Sequence, residues 1–271
     1  MRQAAISQAG LSVQRDGRRA VLRSLPDEVP VAMVFNGTTQ AVMMASPADL
    51  CDFARGFARS EGIVETVDQI ETLEIVEHDA GIEARMWLAD DRGAQLKARR
   101  RALLGPVGCG LCGIDSLEAA LRPLPCVTAS LHLDASEVAH ATDALRAHQP
   151  LHDQTHAAHA AGFLQPGQGI VLAREDVGRH NALDKLIGAL DARGLDPASG
   201  AVVLTSRVSV EMVQKTVMAG IPALIAVSAP TAQALRLAQD AGLTVAAFAR
   251  GGGFDLYAHP ERIIDGERHV V

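Results

Sequence analysis

Cys109 and Cys112 stand two residues apart in the stretch GPVGCGLCG, residues 105–113, of a 271-residue chain that has four cysteines in all. Thiols at this spacing serve three chemistries: half of a metal site, a dithiol–disulfide couple, or a thiolate that carries a group. A structural zinc site takes four ligands, usually as two spaced pairs. This chain has a single pair. Cys126 would be a third ligand at most, and no His has a partner at ligand spacing beside them, so no protein metal site is expected. A thioredoxin-type couple lies between a strand and a helix, and the residues before Gly105, AQLKARRRALL, do not read as that strand. Gly105, Gly108, Gly110 and Gly113 leave the sulfurs little shielded by neighbouring side chains. Lys97, Arg99, Arg100 and Arg101 lie upstream, and Asp115 or Ser116 caps a short helix, SLEAALR, whose positive end faces Cys112. Positive potential lowers a thiol pKa and raises the thiolate fraction, the form that attacks sulfur. Reversible sulfur carriage suits this setting, although a solvated charge run accounts for KARRR equally well.

Composition narrows the partners. Hydrophobic residues at 48% with 21% charged describe a globular chain, long enough for two domains. Aromatic residues at 3% and a net charge of −7 argue against nucleic-acid binding, which needs stacking platforms and clustered cations. The N-terminus lacks the apolar run of a secretory signal, so a cytoplasmic chain with reduced thiols is expected. Lys215 and Arg236 bracket twenty uncharged residues. Pro222, Pro230 and Gly220 interrupt them, and the stretch reads as a helix end, a buried strand and a new helix, with no membrane span.

After a polar start, VPVAMVFNGTTQAVMMASP predicts two strands around an Asn36-Gly37 turn, and Ser46-Pro47 opens a helix whose apolar face is Leu50, Phe53, Ala54 and Phe57. Strands in TVDQIETLEIVEH and GIEARMWLA make residues 1–125 a β-rich N-terminal domain that ends in the Cys-x-x-Cys loop. From Gly169 onward, short apolar strands alternate with helices closing on Gly194, Gly220 and Gly242, which predicts a layered α/β domain over residues 126–271.

Further candidates follow that alternation. Gly251, Gly252 and Gly253 follow the last predicted strand, where ligands of open α/β sheets gather; the glycines admit a phosphate to backbone N–H groups, and Arg250 adds charge. An ordinary turn explains three glycines as well. Arg179 and His180 fall in the first turn of a helix, where cations are disfavoured. An anionic ligand offsets that, with Asp176 and Asn181 beside it, and so would Glu175 and Asp176 alone. Glu211 and Lys215 read as a surface ion pair at helical spacing, and His159 as a pocket residue.

Three stretches, GPVGCGLCGIDSLEAALRPLP, REDVGRHNALDKLIGAL and SRVSVEMVQKTVMAGIPALIAVSAPTA with its tail FARGGGFDLYAHPERI, resemble the formate dehydrogenase accessory sulfurtransferase family, FdhD. The resemblance implies a cytoplasmic homodimer with a cytidine-deaminase-like α/β domain. It implies sulfurtransferase activity: a cysteine desulfurase loads a persulfide, and the sulfur passes to a molybdenum (or tungsten) bis(molybdopterin guanine dinucleotide) cofactor before insertion into apo-formate dehydrogenase. Cys109 would then be the persulfide bearer assisted by Cys112, and Phe248–Gly253 the cofactor-binding segment, with GDP as a mimic of the bound substrate. A non-catalytic cofactor chaperone is the alternative. One departure stands out: relatives read Thr-Gly-Gly-x-His-Ala-Ala where this chain has THAAHAA, so His156 and Ala157 replace two glycines. A deaminase, by contrast, needs a His-x-Glu motif, and Ala161 stands where the glutamate would be.

Overall fold

The computed structural model describes residues 2–89 and 124–265. Cys109, Cys112 and the basic run before them lie outside the described residues. Two strands open the fold, β1 (Ala5–Gln14) and β2 (Gly17–Pro26), paired antiparallel along their whole length as a separate two-stranded ribbon. The sequence reading passed over this segment as a polar start and placed no strand in it. Its alternation is weak because most of both faces is exposed, but Asp16-Gly17 at the turn is a hairpin signal.

Strands β3 (Val29–Phe35), β4 (Thr38–Ala45), β5 (Ile70–His78) and β6 (Gly81–Leu88) form a four-stranded sheet of order β4-β3-β6-β5. Asn36 and Gly37 both take positive φ, 47° and 74°, so the expected tight turn joins β3 to β4. Helix α1 (Leu50–Ser60) lays Phe53, Ala54 and Phe57 on this sheet against Met33, Phe35 and Met86. The helix starts later than Ser46-Pro47 predicted. Ser46 is recruited elsewhere: its N–H donates to Asp176 Oδ2 at 2.9 Å, and its hydroxyl accepts from Val177 N at 3.1 Å.

The second sheet has order β13-β12-β11-β10-β8-β9. It comprises β8 (His159–Gln165), β9 (Gly169–Asp176), β10 (Ala201–Leu204), β11 (Ala223–Ala226), β12 (Thr244–Arg250) and β13 (Gly253–Ala258). The short strands β7 (Leu133–Asp134) and β14 (Ile263–Ile264) pair beside it. β10, β11 and β12 run parallel. Their residues alternate between two cores: Val202, Leu204 and Leu224 face one, Ala201, Val203 and Ile225 the other. Both faces are therefore covered, as continuous apolar strands require. Helix α2 (Ala135–Arg146), followed by the short α3 (Pro150–Thr155), packs on one face. α4 (Arg179–Arg193), α5 (Val210–Met218) and α6 (Ala232–Ala241) belong to the other. The result is the layered α/β fold with a β-rich N-terminal part that the sequence predicts. The uncharged run after Lys215 divides into the end of α5, β11 and the start of α6, and no described helix is long and apolar enough to cross a membrane.

α1 and α4 cross closely, and buried polar groups stitch the same seam. Asp176, wholly buried, pairs with Lys185 Nζ at 2.7 Å, and Lys185 also donates to Ser46 O at 2.9 Å. Asn181 donates to Met44 O at 2.8 Å and to Asp176 Oδ1 at 2.9 Å. Lys215, expected at the surface with Glu211, is buried instead. It donates to both Asp184 carboxylate oxygens at 2.9 Å and to Glu61 at 2.8 Å. Burial pushes the Asp184 carboxyl up against the pull of Lys215; Lys215 itself is raised despite its own burial, because Asp184 and Glu61 surround it. A carboxylate one turn away on the same helix lost to two that the fold brings from other elements.

Candidate functional site

A crevice of about 560 Å³ opens beyond the carboxyl ends of β10 and β11, where Thr205 and Val227 form its floor. α2 contributes Thr142, Asp143 and Arg146, and His152, His156 and His159 line the opposite wall. This is the place where open α/β sheets bind ligands, and the volume is that of a typical small-molecule site. His159, expected in a pocket, is there. Its pKa is lowered by burial and by the neighbouring Arg179 cation, so it is neutral at physiological pH. Asp143, Arg146 and His152 escaped the sequence reading; the local signal nearest to them was Pro150, the first residue of α3, which marks where a new helix begins.

His156 closes α3 in the left-handed conformation, φ 55°, with its N–H donating to His152 O at 2.7 Å. A glycine meets this geometry without strain, so a histidine here carries a conformational penalty. His156→Gly is expected to raise stability by about 0.5–1 kcal/mol, seen as a rise of about 2 °C in the thermal midpoint. An unchanged or lowered midpoint would contradict this.

The segment expected to bind a cofactor divides in two. Phe248 and Ala249 abut the crevice wall: Thr142 Oγ1 donates to Ala249 O, and Phe248 N–H to Ser228 O at 3.3 Å. Phe248 holds φ 53° where the β12–β13 register shifts. That backbone is an outlier for a bulky residue, of the kind that clusters at ligand sites. Arg250 pairs with Gly253 across a two-residue turn in which Gly251 and Gly252 both have positive φ, 61° and 79°. The glycine run is thus a hairpin tip, exposed beside His140 of α2, with open space around its backbone.

α4 begins at Arg179 with no side-chain cap and no acid in its first turn. Asp176 and Asn181, read as ligand-lining, are committed to the seam, while Glu175 accepts from Leu151 N at 2.7 Å and His152 N at 2.8 Å and so serves α3. Arg179 Nε and His180 Nε2 are buried without a hydrogen-bond partner. Burial and the Arg179 charge push the His180 pKa down to about 4. Between pH 6.5 and about 4 the unfolded chain binds a proton there that the folded chain refuses. Stability should therefore fall as pH drops through this window. Urea midpoints at pH 7.5 and 5 should differ less in His180→Asn than in the native chain; an equal difference in both would exclude His180 as the source.

Chain entry into the α/β layer is also fixed. The Arg262 guanidinium, buried, donates to Ala129 O at 3.1 Å, Gly242 O at 2.9 Å and Thr244 Oγ1 at 3.1 Å, which pins the strand of chain that follows the Cys-x-x-Cys stretch. Cys51 and Cys126 are exposed free thiols, and among the described residues no group of three His, Cys, Asp or Glu side chains is placed to hold a metal ion.

Comparison with known proteins decides the family. The FdhD/NarQ family model matches residues 26–264. The chain belongs to the FdhD/NarQ family. It is 49% identical over 245 residues to a sulfur carrier protein FdhD of Agrobacterium fabrum, covering 89% of this chain and 90% of the relative. It is 53% identical over 256 residues to the protein of the same name in Brucella abortus, covering 94% and 95%. A crystal structure described as a candidate formate dehydrogenase accessory protein from Desulfotalea psychrophila superposes with a TM-score of 0.76 at 26% identity, covering 96% of this chain and all of that one. The deaminase-like chemistry weighed against this family finds no support at His159: two residues on, Ala161 is a wholly buried methyl in the sheet core.

Proposed function

We propose that this FdhD/NarQ chain is a cytoplasmic sulfur carrier for formate dehydrogenase maturation and acts through a persulfide on Cys109. The Cys109 thiolate attacks the outer sulfur of a desulfurase persulfide; the new S–S bond forms as the old one breaks, and the desulfurase leaves as a thiolate. Delivery to the molybdenum bis(guanine dinucleotide) substrate takes sulfide. Cys112 releases it by attacking the inner sulfur, which leaves a Cys109–Cys112 disulfide that a cellular dithiol, or two thiols, reduces in becoming a disulfide itself. The crevice beside Phe248 and Ala249 is the proposed seat of the cofactor's nucleotide end. Partly buried histidines and the uncapped start of α4 suit its phosphates.

The observation that carries this reading is the family-model match over residues 26–264, a span that takes in both the Cys-x-x-Cys pair and Phe248–Gly253, together with the similarity to relatives named sulfur carrier protein. Its test is intact-protein mass spectrometry after incubation with cysteine and a cysteine desulfurase. The native chain should gain a sulfur atom that Cys109→Ala fails to gain. Equal uptake by Cys109→Ala would overturn the assignment. Full formate dehydrogenase maturation by a Cys109→Ala/Cys112→Ala chain would point to a non-catalytic cofactor escort. GDP should bind the native chain and bind Phe248→Ala more weakly.

A further inference from the structure

The crevice has little fixed positive charge to offer an anion. Of the two permanent charges that α2 places in its wall, Arg146 is held in an ion pair by Asp153 of α3, and Asp143 is itself negative. Glu175 of β9 stands behind α3, accepting from Leu151 N at 2.7 Å and His152 N at 2.8 Å. Arg179, at the start of α4, acts on His159. While every histidine is neutral, the cations Arg146 and Arg179 are thus outnumbered by the carboxylates Asp143, Asp153 and Glu175. The β1–β2 ribbon, packed against α3, adds Arg15, Arg18, Arg19 and Arg23 with Asp16. All five are exposed, where salt screens them within about 8 Å.

Histidine is the remaining source of charge. His152 and His156 lie four apart at the end of α3, both in the crevice wall, with their rings edge to face at 5.8 Å. His152 Nδ1 lies 3.1 Å from Ala158 O, a group that can only accept, so Nδ1 carries the hydrogen. Nε2 of the neutral ring is then an acceptor that one further proton converts into a donor. His156 holds φ 55°, where a glycine would be free of strain. Strained backbone of this kind clusters at ligand sites, and here it carries an imidazole into the crevice. His159 is less suited to become charged, because burial and the cations of Arg179 and His152 lower its pKa.

We infer, on the reading of the crevice as the seat of the cofactor's nucleotide end, that His152 and His156 form a proton-coupled phosphate contact: a phosphate entering the crevice draws one proton from solvent onto the pair. A nearby anion favours the charged imidazole, so affinity for a phosphate-bearing ligand rises as pH falls through the range in which imidazoles titrate. One proton is taken up, and not two, because imidazolium rings this close repel each other. An uncharged nucleoside gains nothing from that proton.

Calorimetric titration of the full reduced chain with GDP, in two buffers of different ionisation enthalpy, counts the protons directly. The native chain should take up close to one proton per GDP near pH 7 and bind about tenfold more tightly at pH 6 than at pH 8. The terminal phosphate of GDP titrates in the same range, so the comparison between chains is decisive. His152→Asn/His156→Asn keeps a side-chain N–H for Ala158 O and a residue that tolerates the left-handed backbone. It should lose most of the uptake and of the pH dependence, with a urea midpoint no lower than that of the native chain. His148→Asn, exposed and away from the crevice wall, should match the native chain. Equal uptake in the native chain and the double variant would overturn the inference. GDP binding without uptake would overturn it too, while leaving the crevice as the nucleotide seat. Absence of GDP binding at every pH would overturn both, and sulfur uptake on Cys109 is measured independently of either.

Discussion

Replacing Gly56 or Gly188 by alanine should cost more than about 3 kcal/mol and leave little folded protein at physiological temperature. A Cβ on Gly56 would lie 1.6 Å from the Asp184 carbonyl oxygen, and one on Gly188 1.9 Å from that of Asp52. The atoms met are helix backbone, which cannot swing away as a side-chain end would. Relief requires α1 and α4 to separate, and their separation draws the Lys185 ammonium off the Phe53 ring while opening the Ser60–Asp184–Lys215 hydrogen bonds. The measurement is the urea midpoint, with Gly10→Ala on β1 as the control, where the added methyl meets only Val21 at 3.8 Å. A Gly188→Ala chain as stable as Gly10→Ala would mean the helices do not cross as closely as described.

Lys185→Met carries the other large effect, about 3–5 kcal/mol of destabilisation. Asp176 would keep its hydrogen bonds from Ser46 N, Gly178 N and Asn181 but lose its ion pair with Lys185 in a wholly buried site. An unpaired interior carboxylate bears the full cost of its desolvation, which is the source of the expected loss. Lys185→Met/Asp176→Asn, which removes the charge, should recover part of the loss at neutral pH. Equal stability of the native chain and Lys185→Met would show that the pair is dispensable.

Much of the fold was legible because its signals are local. Strand, helix and capping patterns depend on residues within a turn or two of each other, and the alternation of short apolar strands with helices from Gly169 onward already implied a sheet covered on both faces. The crevice was legible in outline too, since its position at strand carboxyl ends follows from the parallel connection of β10, β11 and β12. Local signals failed where a side chain's partner is distant. Ser46 reads as a cap and is instead a partner of Asp176, 130 residues on. Lys215 has Glu211 at the right spacing, but Asp184 and Glu61 meet it from other elements, and Asp184 is buried, where an ion pair is far less screened than at the surface. The first ribbon was overlooked because a hairpin largely exposed on both faces has almost no amphipathic contrast.

By itself the sequence determined the family, the Cys-x-x-Cys pair and its candidate chemistry, the layered α/β class and the glycine-rich end of β12, all of which reside in contiguous residues. Tertiary structure alone decided which polar groups are spent on joining the two layers and which remain for a ligand. REDVGRHNALDKL places Asp176, Arg179, His180, Asn181 and Lys185 together in the chain, yet helical geometry and the approach of α1 turn Asp176, Asn181 and Lys185 into the seam and leave Arg179 and His180 with buried nitrogens unpartnered at the start of α4. The physical reason is desolvation: once α1 covers one side of α4, a polar group on that side must find a protein partner, whereas a group at the uncapped helix start keeps its hydrogen-bonding capacity for whatever enters the site.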